Sequence, residues 1–135
     1  MLIIIQLKSF ILRDYLMKTI FVVDDKNINL QTADEALSGI YDVFTLVSAS
    51  AMFDLLNNIK PDLILLDIMM PGIDGFEALK KLKADERYAQ IPVIFLTSQK
   101  DEDTKIRGFE AGIIDCIIKP FFNSVLLDRV KTHLQ

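Results

Sequence analysis

Four short segments of this chain are apolar without interruption: Ile20-Phe21-Val22-Val23, Leu63-Ile64-Leu65-Leu66, Val93-Ile94-Phe95-Leu96 and Cys116-Ile117-Ile118. A strand with one wet face alternates apolar and polar residues. A strand that is apolar at every position must be covered on both faces. Strands are therefore expected near 19–23, 62–66, 91–96 and 115–118, with a fifth, less continuous one near 42–46. Helical stretches fall between and after them, near 27–39, 50–59, 74–84, 101–111 and 122–134. Leu30, Ala33 and Leu37 recur at helical spacing; so do Met52, Phe53, Leu56 and Ile59, and Leu127, Val130 and Leu134. These stripes define layers of core packing and carry no chemistry of their own. Gly39, Gly72 and Gly112 mark turns or helix ends, Pro61 precedes the third strand, and Pro92 opens the fourth. Five strand–helix units with short links imply right-handed crossovers. The expected fold class is α/β, with a parallel sheet carrying helices on both faces.

The chain has 135 residues, enough for one domain with a real core. No internal repeat or low-complexity tract divides it, and no second domain is expected within it. Its net charge is −4 and it has no basic stripe, which argues against direct nucleic-acid binding. The single cysteine, Cys116, excludes an intrachain disulfide and is compatible with a reducing cytoplasm. Residues 1–16, MLIIIQLKSFILRDYL, are apolar but interrupted by Gln6, Lys8, Arg13 and Asp14. They are too short and too broken to span a bilayer, and they lack the features of a signal peptide. The reading adopted is an N-terminal extension, residues 1–17, ahead of a domain over 18–135, with Met17 just before the first strand. An amphipathic helix packing on the domain or on a second copy is the competing expectation.

The chemistry lies where the apolar runs stop. Asp24 and Asp25 follow the first strand, Asp67 the third, Thr97 the fourth and Lys119 the fifth. In a parallel α/β sheet the strand C-termini share one edge, and ligands bind there. Three carboxylates that close together raise one another's pKa unless a cation intervenes. Mg²⁺ suits them, being a hard ion that accepts two carboxylates, a carbonyl and waters. No neighbouring His or Cys favours zinc or copper. A carboxylate such as Asp67 can attack phosphorus to form an aspartyl phosphate. Phosphoryl transfer then asks the protein mostly for position and positive charge, which Lys119, the Thr97 hydroxyl and backbone N–H groups can supply. Singly, each residue has a blander explanation: an acidic loop residue, a strand-end cap, a surface lysine. All five at matching strand ends favour the joint explanation.

Four motifs resemble the receiver domain of two-component response regulators: VVDDKNIN at 22–29, LILLDIMMPGIDGFE at 63–77, VIFLTSQ at 93–99 and DCIIKPF at 115–121. The resemblance runs from about Lys18 to Leu134. It implies a flavodoxin-like five-stranded parallel sheet of order 2-1-3-4-5 with five helices on two faces. It implies that Asp67 accepts a phosphoryl group from a sensor histidine kinase or a histidine phosphotransfer protein. Asp25, Asp67 and the main-chain carbonyl of Met69 would ligate Mg²⁺, with Asp24 acting through a metal-bound water. Thr97 and Lys119 would contact the phosphoryl group, with Thr97 as the switch hydroxyl, and the Lys119–Pro120 peptide would be cis. The output would be a changed helix 4, strand 5 and helix 5 face that regulates an unknown partner or effector domain. The domain would be a cytoplasmic monomer or a phosphorylation-dependent homodimer, with no membrane contact.

Two positions depart from the family pattern. Cys116 stands where an aromatic switch residue is usual, so the readout at the fourth helix and fifth strand is expected to differ. No acidic or basic neighbour in sequence is expected to mark its thiol as reactive. Ser98 replaces a small residue, often alanine, and fits sterically. Met69 and Gln99 flank the site and neither is poised to activate water, which predicts a fairly long-lived phosphorylated state. His133, the only histidine, is read as structural. Two rival functions remain at this point. An aspartyl-phosphate phosphatase or phosphotransferase commonly carries a second acid where Met69 stands. A flavodoxin-like electron carrier needs a Ser/Thr/Gly-rich first loop where this chain has Asp24-Asp25-Lys26-Asn27.

Overall fold

The computed structural model describes residues 1–7 and 17–135. Five strands, β1 (Thr19–Val23), β2 (Asp42–Leu46), β3 (Leu63–Asp67), β4 (Val93–Thr97) and β5 (Asp115–Ile118), alternate with five helices. These are α1 (Asn27–Leu37), α2 (Ala49–Leu56), α3 (Gly75–Ala84), α4 (Glu102–Ala111) and α5 (Asn123–His133). All strand pairs are parallel and the sheet order is β2-β1-β3-β4-β5. This is the flavodoxin-like arrangement. Residues 2–7 add a short exposed helical turn. The expected amphipathic helix over residues 1–16 falls largely outside the described residues. Among the described residues no helix is long and apolar enough to cross a membrane.

The continuous apolar runs are explained by two cores. Phe21, Val23, Ile64, Leu66 and Phe95 face α2, α3 and α4, with Met52, Leu56, Leu79 and Leu82 packed on them. Ile20, Val22, Leu63, Leu65, Ile94 and Leu96 face α1 and α5, with Leu30, Ala33, Leu37 and Val130. Successive residues of one strand thus serve opposite cores. β2 lies at the sheet edge and is partly exposed, which is why its sequence is less apolar. In α5 the expected Leu127, Val130 and Leu134 pack on this core, and Leu126, fully buried, joins them.

Two strand ends differ from expectation in a way that matters. β3 runs on to include Asp67 and β4 to include Thr97, because both stay in the ladder: Asp67 pairs with Leu96 and Thr97 with Ile118. β4 also begins later than expected, at Val93. Pro92 lacks an N–H and contributes only its carbonyl, which accepts from Ile64 N at 3.0 Å.

The starts of α2, α3 and α4 are capped by side chains. Ser48, Asp74 and Asp101 accept hydrogen bonds from the N–H of Ala51, Glu77 and Thr104. Gly112 closes α4 at φ 112° in the left-handed region. Gly75 is needed for a different reason. The first turn of α3 lies against the end of β3, and a Cβ at 75 would sit 2.6 Å from the Asp67 carbonyl oxygen and 2.7 Å from Ile68 Cα. Neither backbone atom can yield without moving Asp67. Gly75→Ala should therefore destabilise the domain by about 1–3 kcal/mol, the usual cost of overpacking. Urea denaturation monitored by circular dichroism checks this, and an unchanged midpoint would refute it.

Candidate functional site

The register of the sheet brings the strand-end residues to one level. Val23 pairs with Leu66, so Asp24 emerges beside Asp67. Thr97 pairs with Ile118, so Lys119 emerges beside Thr97, and Lys119 N donates to the Thr97 carbonyl at 2.7 Å. The Lys119 ammonium reaches back across the edge to Asp67 Oδ1 at 2.9 Å and Asp24 Oδ2 at 3.2 Å. The Lys119–Pro120 peptide is cis, as expected.

Each acid is held differently. Asp24 is fully buried. Its Oδ1 accepts from Lys26 N at 2.9 Å, and its Oδ2 accepts from Asn29 Nδ2 at 3.1 Å as well as from Lys119. Asp67 is 2 % exposed and accepts from Met69 N at 3.4 Å. Asp25 carries the odd atom of the group: its Oδ1 is buried and has no hydrogen-bond partner among the described residues. One carboxylate oxygen each from Asp24, Asp25 and Asp67 lies within 4.8 Å of the others. A buried, unpartnered anionic oxygen is costly, and a cation is its simplest compensation. Three hard oxygen donors without nitrogen or sulfur fit Mg²⁺.

Burial is the main force on Asp67. It pushes the carboxyl up from about 3.8 to about 6, aided by the charge of Asp24 and opposed by Lys119 and the Met69 N–H. The Lys119 ammonium is raised despite its own burial, because both carboxylates favour its charged form. Thr97 is buried, and its hydroxyl oxygen accepts from Gln99 N at 2.9 Å, leaving the hydroxyl proton for another acceptor.

All five strand-end residues thus meet at one edge. Sequence reasoning missed three partners. Asn29 fixes Asp24 from the first turn of α1, and its place five residues after an acid gives no recognisable signal. Gly75 permits the close approach of α3. Thr104 on α4 donates its hydroxyl to Gln99 Oε1 at 3.1 Å.

Cys116 lies away from the acids and is buried on β5. Contrary to the expectation from sequence, it does have a charged neighbour, Asp115, and Arg129 Nη2 donates to the Cys116 carbonyl at 3.2 Å. Burial nonetheless pushes the thiol up, which disfavours the reactive thiolate. Asp115 is taken up by Arg129 and by His133 Nε2 at 3.0 Å, which gives the lone histidine its structural place.

A profile of the response regulator receiver domain matches residues 20–131. The chain is 40% identical over 119 residues to the phosphate regulon transcriptional regulatory protein PhoB of Pseudomonas aeruginosa, covering 87% of this chain and 52% of that protein. It is 36% identical over 114 residues to the response regulator PleD of Caulobacter vibrioides, covering 84% of this chain and 25% of that protein. The BeF3-activated receiver domain of DrrB, a Thermotoga maritima protein, superposes with a TM-score of 0.80 at 32% identity, covering 88% of this chain and 98% of that one. Fold and sequence together define a phosphorylation-dependent signalling switch. The chain belongs to the receiver domain family of two-component response regulators. It spans between about a quarter and a half of the length of the curated relatives it matches.

The raised Asp67 pKa has a consequence for metal-free protein. Between about pH 4 and 6 the folded state holds a proton that the unfolded chain has released. Stability then falls as pH rises through that window, with the full cost present above it. Thermal unfolding in EDTA from pH 4 to 7 should show the parent losing stability relative to Asp67→Asn. Parallel curves would contradict this.

Proposed function

We propose that Asp67 is the phosphoacceptor of this switch and that Asp24, Asp25 and Lys119 are its electrostatic frame. The observation that carries the reading is the convergence of the three carboxylates and the ammonium at one sheet edge, with Asp25 Oδ1 buried and unpartnered. Asp25, Asp67 and the Met69 carbonyl would hold Mg²⁺, with Asp24 contributing through water. Bound there, the ion would supply positive charge that offsets the approach of an anionic phosphoryl group to an anionic carboxylate.

The phosphodonor is a phosphohistidine of a sensor histidine kinase or a histidine phosphotransfer protein. An Asp67 oxygen attacks phosphorus, the P–N bond breaks, and the imidazole leaves with the electron pair. Lys119 exchanges its contact with Asp67 for one with a phosphoryl oxygen, so its charge stays paired. The Thr97 hydroxyl turns its proton toward the same group. Domain chemistry ends there: the chain assists its own phosphorylation and dephosphorylation and turns over no other substrate. Met69 in place of a second acid supports this over the phosphatase reading, and the acidic first loop opposes the electron-carrier reading.

The phosphorylated form shifts a two-state equilibrium of the α4–β5–α5 face, which regulates a partner or effector domain. The working unit is residues 18–135, monomeric or dimerising on phosphorylation, with residues 1–17 as an extension outside it. It acts in the cytoplasm through protein contacts, without binding nucleic acid or membrane itself. Cys116 alters the readout. It lines a hollow of about 310 Å³ between α4, β5 and α5, bounded by Lys105, Phe122, Val125 and Arg129. An aromatic ring would occupy part of that space and couple it to Thr97; a thiol is too small.

Incubation with Mg²⁺ and acetyl phosphate, followed by intact mass measurement, tests the acceptor. One phosphoryl adduct is expected on the parent and none on Asp67→Asn. An adduct on both proteins, or on neither, would overturn the assignment. For the readout, Cys116→Tyr should accept phosphate normally but change the phosphorylation-dependent NMR shifts of α4 and β5. Identical shifts in the two proteins would remove the role given to residue 116.

A further inference from the structure

The loops that flank Asp67 are joined by a side-chain bridge that the acceptor chemistry above does not use. Gln99 lies in the loop after β4, and its N–H donates to the Thr97 hydroxyl oxygen at 2.9 Å. Its carboxamide extends in two directions. Oε1 accepts from the Thr104 hydroxyl at 3.1 Å, and Nε2 is 3.8 Å from the sulfur of Met69. Met69 in turn donates its N–H to Asp67 Oδ1 at 3.4 Å. The carboxamide therefore links the β4–α4 loop to the β3–α3 loop beside the acid that takes the phosphoryl group. Thr104 is the fixed end of this link. It is 6 % exposed, and its own N–H is held by Asp101 at 2.7 Å in the α4 cap.

We propose that Thr104 is a positioning residue that slows hydrolysis of phospho-Asp67 by holding the Gln99 carboxamide away from water. This rests on Asp67 being the phosphoacceptor. In hydrolysis a water oxygen attacks phosphorus and the bond from phosphorus to the Asp67 oxygen breaks. Asp67 leaves as a carboxylate, and the water's protons pass to phosphate and solvent. A side-chain carbonyl free to accept from that water would orient it and speed the step. The Gln99 carbonyl is instead engaged by the Thr104 hydroxyl, and its NH₂ end faces the weakly polar thioether. One of the two acceptor positions of that oxygen is thereby taken by a structural contact, which fixes where the other points.

The test is the decay rate of the phosphorylated protein, prepared with acetyl phosphate and Mg²⁺ and followed by intact mass after donor removal. Thr104→Val keeps the side-chain shape and the N–H used by the Asp101 cap, but loses the hydroxyl and with it the side-chain contact to Asp101, an effect that the Gln99→Ala background separates. It should decay about threefold to tenfold faster, the factor that one neutral hydrogen bond supports. Thr104→Ser should decay like the parent. In a Gln99→Ala background, Thr104→Val should have no further effect, because the group it positions is gone. Unchanged decay in Thr104→Val, or the same acceleration with and without Gln99, would overturn the proposal while leaving the acceptor assignment intact. Failure of the parent to take an adduct would overturn both.

Discussion

The ion pairs of Lys119 with Asp24 and Asp67 are the constraint around which the site is arranged. Two carboxylates almost wholly removed from water share one ammonium, and the arrangement is undersupplied with positive charge. Such groups are expensive to bury, and removing one partner leaves the other uncompensated. The excess of negative charge makes the site receptive to a divalent cation. The single ammonium beside Asp67 is placed to pair with an anionic group brought up to that carboxylate. A neutral or fully compensated edge would do neither.

The scaffold makes this possible by stiffness. Both faces of the central strands are packed, so β1, β3 and β4 cannot slip in register without driving apolar side chains into the wrong core, and the edge strand β5 is held to β4 by its ladder. Register in turn fixes the level at which Asp24, Asp67, Thr97 and Lys119 leave the sheet. Gly75 completes the frame, because α3 starts in contact with the Asp67 backbone. Beside it, α4 is packed more lightly: Ile106 and Phe109 are about half exposed. A stiff site beside a lightly packed helix is what a switch requires.

Much of the site was legible in the chain. The uninterrupted apolar runs announced doubly covered strands, and the rule that ligands gather at strand C-termini named Asp24, Asp25, Asp67, Thr97 and Lys119 together. Boundaries were less legible. The ends of β3 and β4 were drawn one residue short, because a polar residue that stays in a ladder looks the same in sequence as one that leaves it. The α5 stripe lacked its most buried member, since Leu126 and Leu127 are chemically identical and only packing distinguishes the fully buried one from the partly buried one.

The sequence by itself determined the fold class, the strand count and the chemical inventory of the site, because these follow from local periodicity and from which residues end each apolar run. Tertiary structure alone decided which oxygen of which acid meets the lysine, that Asp25 keeps one oxygen buried without a partner, and that Thr104 holds Gln99 against Met69. Those are contacts between groups as many as 95 positions apart in the chain. Their geometry is set by sheet register and helix placement, which no single segment encodes.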